Sequence, residues 1–216
     1  MKPKKLVYGV GINDAGYVVE KRETIGYVDG KQNQKTVWVC PYYQVWVNML
    51  RRCCYAKFQE RNPTYKGCSV AEEWLTFSAF KQWMEKQDWE ELQLDKDLLF
   101  EGNKVYSAST CVFVTPAVNL FTNDCRASRG EWLIGVDWHK ASQKFRANCH
   151  NPFTKKLEYL GLFTSEMEAH RAWKKRKLEL ARELAAIQTD QRVAKALIDR
   201  YSNSQKYDRS PSRPGL

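Results

Sequence analysis

Apolar residues along this chain follow two different spacings, and the changes between them mark the elements. "KKLVYGVGI" and "AGYVVEKRE" alternate as short strands do. "TIGYVDGKQNQKTVWVC" alternates on both sides of Asp29-Gly30, which predicts a hairpin turning on that dipeptide. From Pro41 the period becomes helical: Tyr42, Val45, Trp46, Met49, Leu50 and Cys53 recur on one face, and proline suits a first turn. "QERNPTYKGCS" reads as a loop, and a second helix is predicted from about Val70. Its stripe of Trp74, Phe77, Phe80, Trp83 and Met84 reads as core. A strand at 92–99, a loop at 100–107, a strand at 110–115 and a helix at 116–122 follow. "TNDCRASRGE" (122–131) has linker composition. The run from Trp132 to Phe163 predicts three short strands. A long helix then starts at Thr164 or Ser165, with a hydroxyl cap and acidic first turn, and runs to about Tyr201 past Trp173, Leu180, Leu184 and Ile187. The Ser/Pro/Arg tail 202–216 is expected to be disordered. The fold class is α+β.

Composition narrows this little. A chain of 216 residues with 43% hydrophobic and 13% aromatic residues can bury one large core or two small ones. No apolar run approaches the ~20 residues of a membrane span. The basic start is not followed by an apolar segment and cleavage site. Seven scattered cysteines without a C-x-x-C pair point away from a zinc ribbon and towards buried thiols in a reduced, cytoplasmic protein.

Charge changes the picture more. The net charge is +10. Residues 1–125 hold 16 Lys and Arg against 15 Asp and Glu, whereas residues 126–216 hold 19 against 10. Almost all the excess lies in the second part, as expected of a nucleic-acid-binding module joined to a neutral one.

The segment "LDKDLLFEGNKVYSASTCVFVTPAVN" sets Asp95, Lys96 and Asp97 at the end of a strand and Asn119 in the helix behind it. A strand–loop–strand–helix unit can hold one hard cation between oxygen donors. Asp95 offers a carboxylate and Asn119 an amide carbonyl. The segment resembles the core of phage HNH endonucleases, the ββα-metal group, and the likeness extends over roughly residues 42–121. It implies that Asp95 and Asn119 bind Mg²⁺ or Mn²⁺, with Lys96 at the position of the general-base histidine and Thr110 at that of the asparagine orienting it. No histidine occurs before His139. A lysine at its ordinary pKa of ~10.4 is protonated and is no base. Three alternatives stay open: Lys96 clamps phosphate while Asp97 or metal-bound water acts as base; Lys96 has a pKa depressed beside the cation; or the unit binds DNA without cutting it.

In the basic part, one sheet face is expected to lie on a helix and the other to stay open. The open face would carry alternate basic and aromatic side chains suited to a major groove. Trp138, Lys140, Lys144, Arg146 and Tyr159 are the candidates, with Phe145, Leu160 and Phe163 assigned to the core. His139, His150 and His170 lack metal-ligand spacing. The run Lys174 to Lys177 could touch phosphate or form a solvated face. "GVDWHKASQKFRANCHNPFTKKLEYLGLFTSEMEAHRAW" resembles the APETALA2-type DNA-binding domain over about 132–176. The matching pieces are Gly135-Val136, Trp138, Lys144 to Ala147, Tyr159 to Phe163, Glu168-Ala169 and Ala172-Trp173.

The resulting organisation is an N-terminal β extension (1–41), an HNH-like domain (42–122), a linker (123–131), a sheet-and-helix DNA-binding domain (132–201) and a tail (202–216). Two functions are expected from it: a divalent-metal-dependent, homing-type endonuclease directed to double-stranded DNA, or a catalytically silent DNA-binding protein on the same scaffold.

Overall fold

A computed structural model describes residues 6–123 and 131–202. The expected linker and tail lie largely outside these residues, as does Cys125. The fold is α+β and divides into two compact units, Met1–Phe113 and Val114–Leu216. No helix among the described residues is long and apolar enough to cross a membrane.

In the first unit the hairpin forms as expected. Strands β1 (Glu20–Val28) and β2 (Lys31–Val39) pair antiparallel, with Asp29 and Gly30 both at positive φ in the turn. Of the two earlier strands, the second survives only as Glu20–Glu23 at the start of β1, and the first does not form among the described residues. Isolated bridges join Val7 to Gly11 and Ile12 to Thr76. Tyr8 and Gly9 at positive φ close a tight turn in which the Val7 and Gly11 amides and carbonyls meet. Gly11 must be glycine, since a Cβ there would lie 2.4 Å from Leu50 and 2.9 Å from Trp46.

Helix α1 (Pro41–Cys54) buries Trp46, Met49, Leu50 and Cys53, the stripe that its period predicts. The expected loop after it contains a short helix, α2 (Ala56–Arg61), and a 3₁₀ turn at Pro63–Tyr65. The second expected helix begins later than Val70. A two-residue strand β3 (Ser69–Val70) and a 3₁₀ turn (Glu72–Leu75) precede α3 (Phe77–Met84). The delay has a cause: the Ile12 amide donates to Leu75 O and the Phe77 amide to Ile12 O, which holds Thr76 extended. Trp74, Phe77, Phe80 and Met84 are buried, and the Trp46 indole donates to Trp74 O at 2.7 Å. The aromatic stripe is therefore core.

The expected strand 92–99 shortens to β4 (Gln93–Asp95), and the expected loop 100–107 contains a two-residue strand, β5 (Val105–Tyr106), parallel to β3. β6 (Val112–Val114) pairs with β4.

The second unit begins with α4 (Pro116–Thr122), whose first turn is capped by the Thr115 hydroxyl accepting from Val118 N. Strands β7 (Val136–His139), β8 (Lys144–His150) and β9 (Leu157–Phe163) form an antiparallel sheet in sequence order. It packs against α5 (Glu166–Ala186). Ala169, Trp173, Leu180, Ala181 and Leu184 are buried on α5, opposite the buried Ala147 and Cys149 of β8. A buried leucine contributes roughly 1.5–3 kcal/mol, so Leu180 and Leu184 alone make this face strongly apolar.

The expected single helix to Tyr201 is two helices. α5 ends at Ala186, and α6 (Gln191–Ser202) folds back onto it. Asp190 makes the break, its carboxylate accepting from the Arg192 amide at 2.8 Å as an N-terminal cap does. The hydroxyl cap expected at Ser165 is also absent. Instead the Glu166 carboxylate accepts the Leu133 amide at 2.6 Å, tying the helix start to the sheet entry.

Candidate functional site

Two places concentrate polar groups that the core does not require. In the first unit it is the end of β4. Asp95 Oδ1 accepts the Asp97 amide at 2.9 Å and the Leu98 amide at 2.7 Å, which turns the chain out of the strand. This is why β4 stops at Asp95 although the sequence keeps alternating. Burial raises the Asp95 carboxyl above its usual pKa, the nearby Asp97 adds to the rise, and the two amides and Lys96 only partly offset it.

Lys96 is 7% exposed. Its Nζ donates to Asp97 Oδ2 at 3.0 Å and stands 5.9 Å from the centre of the Tyr106 ring. Burial lowers its pKa, but Asp97, Cys68 and Asp95 together outweigh that and leave it raised. Lys96 is thus a cation at neutral pH, held against Asp97 rather than turned to solvent. These neighbours by themselves raise the lysine pKa; a depression would have to come from a cation bound beside it.

Thr110 stands just before β6. Its hydroxyl donates to Val105 O at 2.7 Å and pairs with Ser107 Oγ at 2.9 Å, so it holds the β5–β6 turn. A residue missed in the sequence does more for the loop. Asn103 donates from one amide nitrogen to both Lys96 O and Val105 O at 2.7 Å, closing the loop across seven residues. Its signal was the Gly102-Asn103 pair, a turn dipeptide. The remaining candidate, Asn119, lies on α4 in the second unit.

Among the described residues no three His, Cys, Asp or Glu side chains gather as a metal cage. The β4 end fits a more loosely held ion. Asp95 Oδ2 takes no hydrogen bond among the described residues, and Mg²⁺ commonly keeps several waters while binding through one or two carboxylates. The thiols nearby are not competitors. Burial pushes Cys53 and Cys111 up to about 12, so they stay protonated.

In the second unit the register sorts the candidates. Phe145, Ala147 and Cys149 alternate with Lys144, Arg146 and Asn148 along β8, and paired residues share a face. Ala147 and Cys149 are buried under α5, so the other face is open. Lys144, Arg146 and Tyr159 fall on that open face, joined by Asp137, His139, Asn148, His150 and Leu157. Tyr159 is 62% exposed and Leu157 66%. Trp138 is not among them. It pairs with Phe145 on the α5 side, their rings 4.8 Å apart, with Trp132 against both. Lys140 lies in the exposed β7–β8 turn. Leu160 is the extra residue of a β-bulge in β9, between the pairs Ala147–Gly161 and Asn148–Tyr159.

The basic run on α5 does not act as one surface. Arg176 donates to Glu158 at 2.7 Å and reaches Glu179 and Glu183 as well. Lys177 is buried, with Nζ donating to Phe121 O at 2.8 Å and lying 3.5 Å from the centre of the Phe121 ring. Both cations hold the unit together, a role that spacing on a helix could not reveal. His170 is also buried, its Nδ1 2.9 Å from Ile134 O. A scan against protein-family models, a search of curated proteins and a search of solved structures each return no match to this chain.

Proposed function

We propose that this protein is a sequence-directed DNA endonuclease whose second unit grips duplex DNA and whose first unit hydrolyses a phosphodiester bond at the β4 end. The observation that carries the reading is the open face of the β7–β9 sheet. Lys144, Arg146, Asn148 and Tyr159 stand on it together, in the part of the chain that supplies nearly all the net positive charge. A three-stranded face with guanidinium, amide, ammonium and phenol groups can meet phosphates and base edges at once.

For hydrolysis, the chain's own groups are Asp95, Lys96 and Asp97. Mg²⁺ or Mn²⁺ would bind through Asp95 Oδ2 and stabilise charge on the leaving alkoxide. Lys96, protonated and pinned by Asp97, adds fixed positive charge beside that carboxylate. Asp97 is the side chain left to accept a proton from water. A second reading is favoured by one specific observation: both the Asp95 turn and the Lys96–Asp97 pair serve the local fold. On that reading the β4 end is structural and the protein binds DNA without cutting it.

Incubation of the full chain with plasmid and phage genomic DNA, with and without Mg²⁺, separates the two. New ends that appear only with the metal, and not with Asp95→Ala, support the nuclease. Retarded but intact DNA under both conditions supports the silent binder.

A further inference from the structure

Asp137 of β7 and Arg146 of β8 stand directly opposite each other on the open sheet face. Asp137 Oδ2 accepts from Arg146 Nη2 at 2.7 Å and from Nε at 3.1 Å, and Oδ1 accepts from Nε at 3.2 Å. Asn148 then donates to Oδ1 at 2.9 Å, so the carboxylate is itself held from the neighbouring position on β8. All these bonds engage the inner edge of the guanidinium, the edge made by Nε and Nη2. The outer edge, Nη1 with the second N–H of Nη2, takes no hydrogen bond among the described residues. The two side chains remain 40% and 42% exposed.

We infer that Asp137 is a positioning residue for sequence readout: it fixes Arg146 so that the outer edge presents two parallel N–H donors to O6 and N7 of one guanine. The inference rests on the reading that this face meets duplex DNA. Bidentate recognition of guanine by arginine needs two coplanar donors on one edge. A carboxylate on the inner edge leaves that outer edge available and sets its plane. Asn148 holds the carboxylate, and Tyr159, its cross-strand partner, flanks the group.

Charge makes the role distinguishable from mere support. Next to Asp137, Arg146 contributes little net charge towards phosphates. Removing the carboxylate charge therefore has opposite effects on two kinds of DNA. A random duplex gains an extra cation to bind, whereas a duplex carrying the preferred guanine loses a fixed donor pair. Loss of a structural residue would weaken both.

The experiment uses the full chain. A preferred duplex is selected from a randomised library with the wild-type protein. Its affinity is then compared with that of a random duplex and of the same duplex bearing 7-deazaguanine, which lacks N7, at each guanine in turn. Wild type is expected to lose roughly fivefold or more at one guanine. D137N, close in shape, is expected to lose that discrimination, to bind random duplex more tightly, and to steepen the log–log salt slope by about 0.9, one phosphate contact. D137N with wild-type discrimination and salt slope overturns the inference. So does parallel weakening on selected and random duplexes. Wild type that binds duplexes with no sensitivity to any single 7-deazaguanine overturns it while leaving the DNA reading intact. Wild type that binds no duplex overturns the DNA reading itself.

Discussion

On the proposed function, Asp95 serves two ends with one carboxyl group. One oxygen turns the chain by accepting the Asp97 and Leu98 amides, and burial beneath that turn raises its pKa above the usual carboxylate range. A carboxyl whose folded pKa is raised holds its proton more tightly folded than unfolded. Ionising it at neutral pH therefore costs stability, and the cost shrinks as the pH falls through its folded pKa and is gone below its unfolded pKa. Asp95→Asn keeps an oxygen for both amides and never ionises. At pH 7 its unfolding midpoint in urea is expected to equal or exceed that of wild type, with the advantage gone near pH 3. The same variant is expected to lose metal-dependent cleavage to background. A variant that is less stable at pH 7 would show that the charge is needed for the fold.

Lys96 gives a second expectation at this scale. Its pKa is raised, so it stays charged at neutral pH. Lys96→Arg preserves the cation and is expected to keep measurable cleavage, whereas Lys96→Met is not. A pH–rate profile that requires a neutral amine in the wild type would contradict this.

At the scale of elements, the seat of α5 on the sheet depends on Gly135. Its φ is +80°, and a Cβ there would lie 2.1 Å from the Trp173 ring. Gly135→Ala must both strain the backbone and displace a buried indole. Its expected cost is about 3 kcal/mol or more in equilibrium unfolding, at the upper end for overpacking. In a Trp173→Ala background, which lacks the clashing Cγ and Cδ1, Gly135→Ala is expected to cost less than in wild type, a coupling that a double-mutant cycle measures.

For the whole molecule, the limits of the second unit matter more than the composition shift suggests. A fragment cut at about Gly130, where charge begins to accumulate, omits α4. Lys177 then loses the Phe121 carbonyl and ring, and Tyr201 loses its hydrogen bond to Phe121 O at 3.1 Å. A buried ammonium that loses its hydrogen-bond acceptor costs about 1–3 kcal/mol or more. A fragment of 114–202 is expected to unfold cooperatively and bind duplex DNA with a log–log salt slope of about −0.9 per phosphate contacted. The fragment 130–201 is expected to be markedly less stable by urea unfolding. Equal stability of the two would show that α4 adds nothing.

What the sequence determined by itself is what depends on spacing along the chain. The hairpin at Asp29-Gly30, α1 from Pro41, the aromatic core stripe, the three strands before α5 and α4 from Pro116 are set by local period and turn chemistry. Where local signals competed, position was not legible. The alternation through 92–99 hides a turn, because a side chain accepting backbone amides leaves no periodic mark. The helical period past Ile187 hides a break at Asp190 for the same reason. Tertiary structure alone decided which charges are surface and which are support. Arg176 and Lys177 look alike in sequence to Lys144, yet the Glu158 carboxylate and the Phe121 carbonyl and ring, brought by distant segments, hold them in place. It also decided which strand residues share a face. The four-residue β7–β8 turn puts Asp137 opposite Arg146 and sends Trp138 to the α5 side. A shift of one residue would reverse both assignments, because side chains alternate across a sheet and only the pairing partner fixes the count.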